Sequence, residues 1–142
     1  MDNTVNLLVI DDDDVVAEMV ELAMRKVPGS YRVVAACDGL EALRILRGQS
    51  DHKVSPPLII LLDINMPQMN GFEFLAEVRR DREVAQADVF MLTSSDAPRD
   101  LRMAYEGHVA GFVHKPRSGE GFTRLSALLR SYADVITDRD GT

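Results

Sequence analysis

Five places in the chain set a charged or hydroxyl side chain at the end of an apolar run. Asp11 and Asp12 follow Val5–Ile10, Asp38 closely follows Tyr31–Ala36, and Asp63 follows Leu58–Leu62. Thr93 ends Asp88–Leu92, and Lys115 stands just beyond Ala110–Val113. Asp63 has two readings. It can cap the turn that follows, the ordinary job of Asp after a strand. It can also be a functional acid, because open α/β sheets bind ligands at the carboxyl ends of their strands. Carboxylates brought together from separate runs repel one another and are tolerable mainly around a cation. Cys37 is the only cysteine, and His52, His108 and His114 are scattered and read as surface residues. With oxygen ligands alone, a hard divalent ion such as Mg²⁺ is the physical choice. Such a site keeps several waters and has room for a phosphoryl group. Lys115 would then supply a point charge, and the Thr93 hydroxyl a hydrogen-bond donor, for phosphoryl oxygens. An aspartate can itself accept the phosphoryl group as an acyl phosphate, and the central Asp63 is the candidate nucleophile.

These residues meet only if the elements between them bring the runs side by side. Leu58–Leu62 is continuously apolar and bounded by Pro57 and a Pro/Asn/Gly loop, so it reads as a strand buried on both faces. Val5–Ile10 reads likewise, and Tyr31–Ala36 is β-branched and aromatic. Between the strands the period changes. Val16, Met19 or Val20, Ala23 and Val27 recur at helical spacing from Asp13 or Asp14, with the later aspartates suited to capping. Leu40, Leu43 and Leu46 line a short helix, and Phe74, Leu75 and Val78 a third, with Arg79, Arg80 and Arg82 placed to complement its dipole. Arg99–Glu106 is a fourth helical stretch of mixed polarity. Phe122, Leu125, Leu128, Leu129 and Tyr132 mark the last helix, followed by a polar, frayed tail over 137–142. The Gln49–Pro57 connection is longer than the roughly 2–6 residues usual in α/β units, and reads as a solvated insertion or a partner-contact loop.

Five β-α alternations predict a parallel sheet covered by helices on both faces, one doubly wound domain of order 2-1-3-4-5. Strands one and three are then neighbours, so Asp11, Asp12 and Asp63 converge with Thr93 and Lys115 on the same rim.

Bulk properties exclude other classes. The 142 residues are 46% hydrophobic and 27% charged, the profile of a soluble globular protein. A net charge of −7 argues against nucleic acid and anionic membranes as partners. No run has transmembrane length, and the start of the chain lacks the features of a secretory signal. A cytoplasmic protein is expected.

Asp11-Asp12, Leu62-Asp63 with Met66-Pro67 and Gly71, Thr93-Ser94, and Lys115-Pro116 together resemble the receiver domain of bacterial two-component response regulators. The resemblance runs from about Val5 to Tyr132, in order and with the family's spacing. It implies a flavodoxin-like fold, and Asp63 as phosphoacceptor from a partner histidine kinase. It implies that Asp11, Asp12, Asp63 and the main-chain carbonyl of Asn65 serve the metal, and that Thr93 and Lys115 contact the phosphoryl group. Phe112 falls at the family's switch aromatic, where Tyr is frequent, so it has no hydroxyl to read out; plain packing is its other reading. The family's usual reporting surface maps to Pro98–Tyr105, Gly111–Val113 and Gly119–Ser131, with Arg117 where many relatives are apolar. The insertion ending in Pro56-Pro57, Asp63–Pro67 and Gly107-His108 are similar to stand-alone regulators partnered with phytochrome-type kinases, which often dimerise. With only about ten residues after Tyr132, too few for a DNA-binding module, output through protein contact, phosphorelay or phosphate sink is expected.

Two other classes compete. A haloacid-dehalogenase-type phosphatase would use Asp11 and Asp13 as nucleophile and acid, but leaves Asp63 idle and lacks a later acidic pair outside Asp138 and Asp140. A pseudo-receiver, a pure interaction module, has no need of the Asp63, Thr93 and Lys115 arrangement.

Overall fold

The computed structural model describes residues 4–81, 84, 87–94, 102–103 and 106–140. Its strands are β1 (Val5–Ile10), β2 (Tyr31–Ala36), β3 (Leu58–Asp63), β4 (Asp88–Thr93) and β5 (Gly111–His114). The helices are α1 (Asp14–Met24), α2 (Gly39–Leu46), α3 (Gly71–Arg80) and α4 (Gly119–Asp140). All strand pairs are parallel, in the order β2-β1-β3-β4-β5. This is the doubly wound, flavodoxin-like architecture that the alternating pattern predicts.

The unbroken apolar runs have a direct cause. Every residue of β1 is buried, as is nearly all of β3 and β4. Successive side chains point to opposite faces. Leu8, Ile10, Ile60 and Leu62 therefore enter a core beneath α2 and α3, with Phe74, Leu75 and Val78. Leu7, Val9, Ile59 and Leu61 enter a second core beneath α1 and α4, with Val16, Val20, Phe122, Leu125 and Leu129. A polar residue inside these strands lacks water on both sides and needs a protein partner, as Asn6 of β1 finds in the Ser55 carbonyl. At the carboxyl ends, where the cores stop, polar side chains become tolerable.

Several expectations are corrected. The buried face of α2 is Ala42, Leu43 and Ile45, with Leu46 partly buried against the same core as expected; Leu40 is instead half exposed. Helix α1 ends at Met24, short of Val27, although Val27 still packs on the core. The tail is not frayed at 137–140, because α4 runs to Asp140. Ala133 and Ile136, at 2% and 1% exposure, continue its buried stripe beyond Tyr132, while Leu128 faces outward. Strand β5 starts one residue later than expected. The Gln49–Pro57 connection is fastened, not loose: Asn6 donates its side-chain amide to Ser55 O (2.8 Å) and its backbone N–H to Pro57 O (2.9 Å). Val54 also packs against the α2/α3 core. In the expected Arg99–Glu106 helix, Arg102, Met103 and Glu106 are helical; the rest, with most of the Pro98–Tyr105 face, lies outside the described residues.

Helix α3 starts hard against the end of β3. Asn70 caps it through a capping box with Glu73, and the Gly71 N–H donates to Ile64 O at 2.9 Å. A Cβ at Gly71 would stand 2.6 Å from Asp63 O and 2.9 Å from Ile64 Cα, both backbone atoms that cannot swing aside. Only glycine allows the helix to abut the strand end here. Gly71→Ala is expected to cost about 1–3 kcal/mol in urea or thermal unfolding, despite alanine's better helix propensity. An unchanged or raised stability would show that this contact relaxes freely.

Candidate functional site

Four consecutive aspartates after β1 divide their work. Asp13 caps α1, its carboxylate accepting the Val15 N–H at 3.0 Å, and it donates its own N–H to Asp11 Oδ1 at 2.9 Å. Asp14 opens the first turn of α1, where a negative charge suits the dipole. That leaves buried Asp11 and exposed Asp12 at the sheet edge. Asp38, at the end of the second run, is a cap: it accepts the Glu41 N–H at 2.8 Å. Glu41 in turn accepts the Cys37 N–H at 3.1 Å and lies 2.8 Å from the Cys37 sulfur. That carboxylate hydrogen bond pushes the exposed thiol up to about 11.

Asp63 fulfils both of its readings, with different oxygens. Oδ1 accepts the Asn65 N–H at 3.1 Å, the turn-forming bond. Oδ2 faces Lys115 Nζ at 3.6 Å. Lys115 Nζ also lies 2.8 Å from Asp11 Oδ2. Backbone pairing places this lysine: its N–H donates to Thr93 O at 2.7 Å. Thr93 is itself completely buried at the end of β4. Phe112 is half-buried on β5 and packs against the α2/α3 core. Asp11, Asp12, Asp63, Thr93 and Lys115 thus stand on the one rim expected of them. Ser95 and Asp96, beyond Thr93-Ser94, lie outside the described residues.

The electrostatics are those of an unfinished charge cluster. Asp63 is raised to about 6, first by desolvation and next by the Asp11 charge; the Asn65 N–H and Lys115 oppose the shift without cancelling it. Asp11 is also raised, because burial outweighs its contact with Lys115. Burial works against the Lys115 ammonium too, but Asp11 and Asp63 more than compensate and its pKa rises. One cation therefore does not neutralise the carboxylates around it. One oxygen each from Asp11, Asp12 and Asp63 can gather within 4.8 Å of one another. Apart from the Lys115 ion pair, buried Asp11 Oδ2 has no hydrogen-bond partner among the described residues. Three carboxylates against one ammonium leave a formal excess of two negative charges, which fits a divalent, oxygen-seeking cation.

Sequence reasoning missed Arg79, placed in advance only as a favourable charge near the end of α3. Its guanidinium turns instead onto the backbone carbonyls of Ala87, Gly107 and His108. Carbonyls belong to every residue, so no side-chain pattern advertises such a partner. No helix among the described residues is long and apolar enough to cross a membrane.

Residues 7–125 match the family model described as the response regulator receiver domain. Among curated relatives, the probable methanogenesis regulatory protein FilR2 of Methanothrix harundinacea is 30% identical over 89% of this chain and 81% of its own. Response regulator Rcp1 of Synechocystis is 30% identical over 89% of this chain and 86% of its own. The crystal structure of the Mn²⁺-bound form of Rcp1 superposes with a TM-score of 0.77 at 26% identity, covering 89% of this chain and 92% of that one. That of the phosphorylated cyanobacterial phytochrome response regulator RcpA gives 0.79 at 25% identity, covering 89% and 91%. With its strand order, its rim of acids and a family match spanning most of its length, the chain belongs to the response regulator receiver family.

Proposed function

We propose that the protein accepts a phosphoryl group on Asp63 from a histidine kinase and reports the modification to a protein partner. The supporting observation is the environment of Asp63. Its carboxylate is buried, one oxygen is held by the Asn65 N–H, and the other faces Lys115 amid further acids. An acceptor so held needs little reorganisation before attack.

In the transfer, an Asp63 oxygen forms the new P–O bond while the P–N bond of the donor phosphohistidine breaks, its electron pair returning to the imidazole. Mg²⁺, held by Asp11, Asp12, Asp63 and the Asn65 main-chain carbonyl, would neutralise charge on the carboxylates and the phosphoryl oxygens. Lys115 moves its charge from the free carboxylate to a phosphoryl oxygen, and the Thr93 hydroxyl donates to another. Burial of Asp63 restricts water, the competing acceptor. Once Thr93 and Lys115 are committed to the phosphoryl group, half-buried Phe112 repacks and alters the surface of β5 and α4. We read residues 1–142 as one receiver unit acting in the cytoplasm, with slow self-dephosphorylation returning it to rest. The likeness to the phosphorylated cyanobacterial phytochrome response regulator RcpA supports a phytochrome-type kinase as the donor.

The phosphatase reading requires Asp13 as its acid, and that carboxylate caps α1. The pseudo-receiver reading is separated by experiment. Incubation with Mg²⁺ and acetyl phosphate is expected to yield base-labile phosphate on Asp63 that Asp63→Asn abolishes. Label on Asp11, or none under any condition, would refute the proposal. Lys115→Met is expected to slow labelling by about tenfold or more, with the modified residue unchanged.

The raised Asp63 pKa makes a second prediction, for metal-free protein. The folded value, about 6, lies above the ordinary carboxylate value of 3.8. Below the lower value both states are protonated and this group contributes nothing relative to a neutral side chain. Between the two, the folded state holds the extra proton, so stability falls as pH rises. Asp63→Asn should therefore stabilise metal-free protein by about 3 kcal/mol near pH 7, an advantage that falls to about half a kcal/mol by pH 4. Paired thermal melts at the two pH values measure it; an equal gain at both would show that burial of the charge is not the cause.

A further inference from the structure

Lys115 acts across the site from an insecure base. Strand β5 has four residues, none fully buried, and it pairs with β4 alone. Gly111 lies over Phe90, where a Cβ would come within 2.5 Å of the ring. The strand therefore passes close against the edge of that ring, with no side chain at position 111 to lock it there. A short edge strand of this kind has weakly specified register. Yet the Lys115 ammonium must stand at one height to reach both Asp11 and Asp63, and β4/β5 register sets that height. Thr93 pairs with His114, and Lys115 N–H then reaches Thr93 O.

The amino ends of these two strands are joined by one side chain. Arg79, near the end of α3, donates Nε–H to Gly107 O at 2.9 Å and one terminal N–H to Ala87 O at 2.9 Å. Its other terminal nitrogen donates to His108 O at 3.1 Å. Ala87 immediately precedes β4, and Gly107 and His108 lead into β5. His108 takes a left-handed backbone conformation (φ 54°), which belongs to the turn whose carbonyls meet the guanidinium. Just above, Ala110 N–H donates to Val89 O at 2.7 Å and starts the ladder. A planar fork with donors in fixed directions can hold two backbone segments in one relative position; an ammonium, with a single point of charge, cannot span them.

The geometry points to Arg79 as a positioning residue for phosphoryl binding: it clamps the entries of β4 and β5 in register and so sets the height of Lys115 at the far end of the sheet. This rests on the phosphoacceptor reading above. It separates two functions of the rim. The carboxylates stand on β1 and β3, which the clamp does not touch, whereas Lys115 follows β5, which it does.

The test uses the full chain, with Mg²⁺ titrated alone and then beryllofluoride, a phosphoryl mimic, titrated at saturating Mg²⁺. Arg79→Gln and Arg79→Lys are both made and studied at a temperature where circular dichroism shows them folded. Each is expected to bind Mg²⁺ within about twofold of the parent and beryllofluoride about tenfold more weakly, the scale of one misplaced charge-assisted contact. Adding Arg79→Gln to Lys115→Met should weaken beryllofluoride no further than Lys115→Met alone. Unchanged beryllofluoride affinity in both folded variants would overturn the clamp. So would equal weakening of Mg²⁺ and beryllofluoride, which signals general loosening. Lys115→Met that binds beryllofluoride like the parent would also overturn the clamp, since the lysine it positions would then have no part in holding the group. If Asp63→Asn binds beryllofluoride undiminished, the phosphoacceptor reading fails instead.

Discussion

The burial of Asp11 and Asp63 at adjoining strand ends is the constraint on which the rest of the structure depends. Two carboxylates taken out of water beside one another are unfavourable, and the raised value at Asp63 records the cost. What forces them together is apolar. The β1 and β3 strands are buried on both faces, and their pairing leaves each acid nowhere else to stand. The hydrophobic cores thus hold a charge arrangement that would disperse if its residues were free. Lys115 moderates it without cancelling it, and that remaining imbalance gives the site its appetite for a cation and a phosphoryl group.

The loops around the rim keep other charges out of the way. Asp13, Asp38 and Asn70 each close the start of a helix, so the polar residues near the site separate into those serving backbone N–H groups and those facing one another on the rim. Asp63 does some of each, one oxygen per task. Glycine at position 71 completes the arrangement, because helix α3 can approach Asp63 only through a residue with no side chain.

Much of this was legible in the sequence, for a physical reason. A strand covered on both faces must be almost wholly apolar, so Val5–Ile10, where Asn6 is the one polar residue, and Leu58–Leu62 announce themselves, and the acids ending them mark the rim. Short helices were harder. In α2 the buried positions include Ala42, whose small side chain carries little periodic signal, while Leu40 is apolar and exposed. The length of α4 was missed because its final turn, residues 137–140, is polar and carries no apolar periodicity. Arg79 was illegible in principle, since its partners are main-chain atoms. The likeness to Rcp1 and RcpA agrees with the reading made from the insertion and from the Asp63–Pro67 and Gly107-His108 stretches.

The ion pair between Asp11 and Lys115 joins the first strand to the segment after the last. During folding, β1 and β3 can pair and trap both carboxylates while the lysine is still distant along the chain. Any species in which β5 has not yet docked then carries those charges without their counterion. The compensation therefore depends on the shortest of the five strands. The residues most useful together on the finished rim are those that a partly assembled sheet can least easily tolerate.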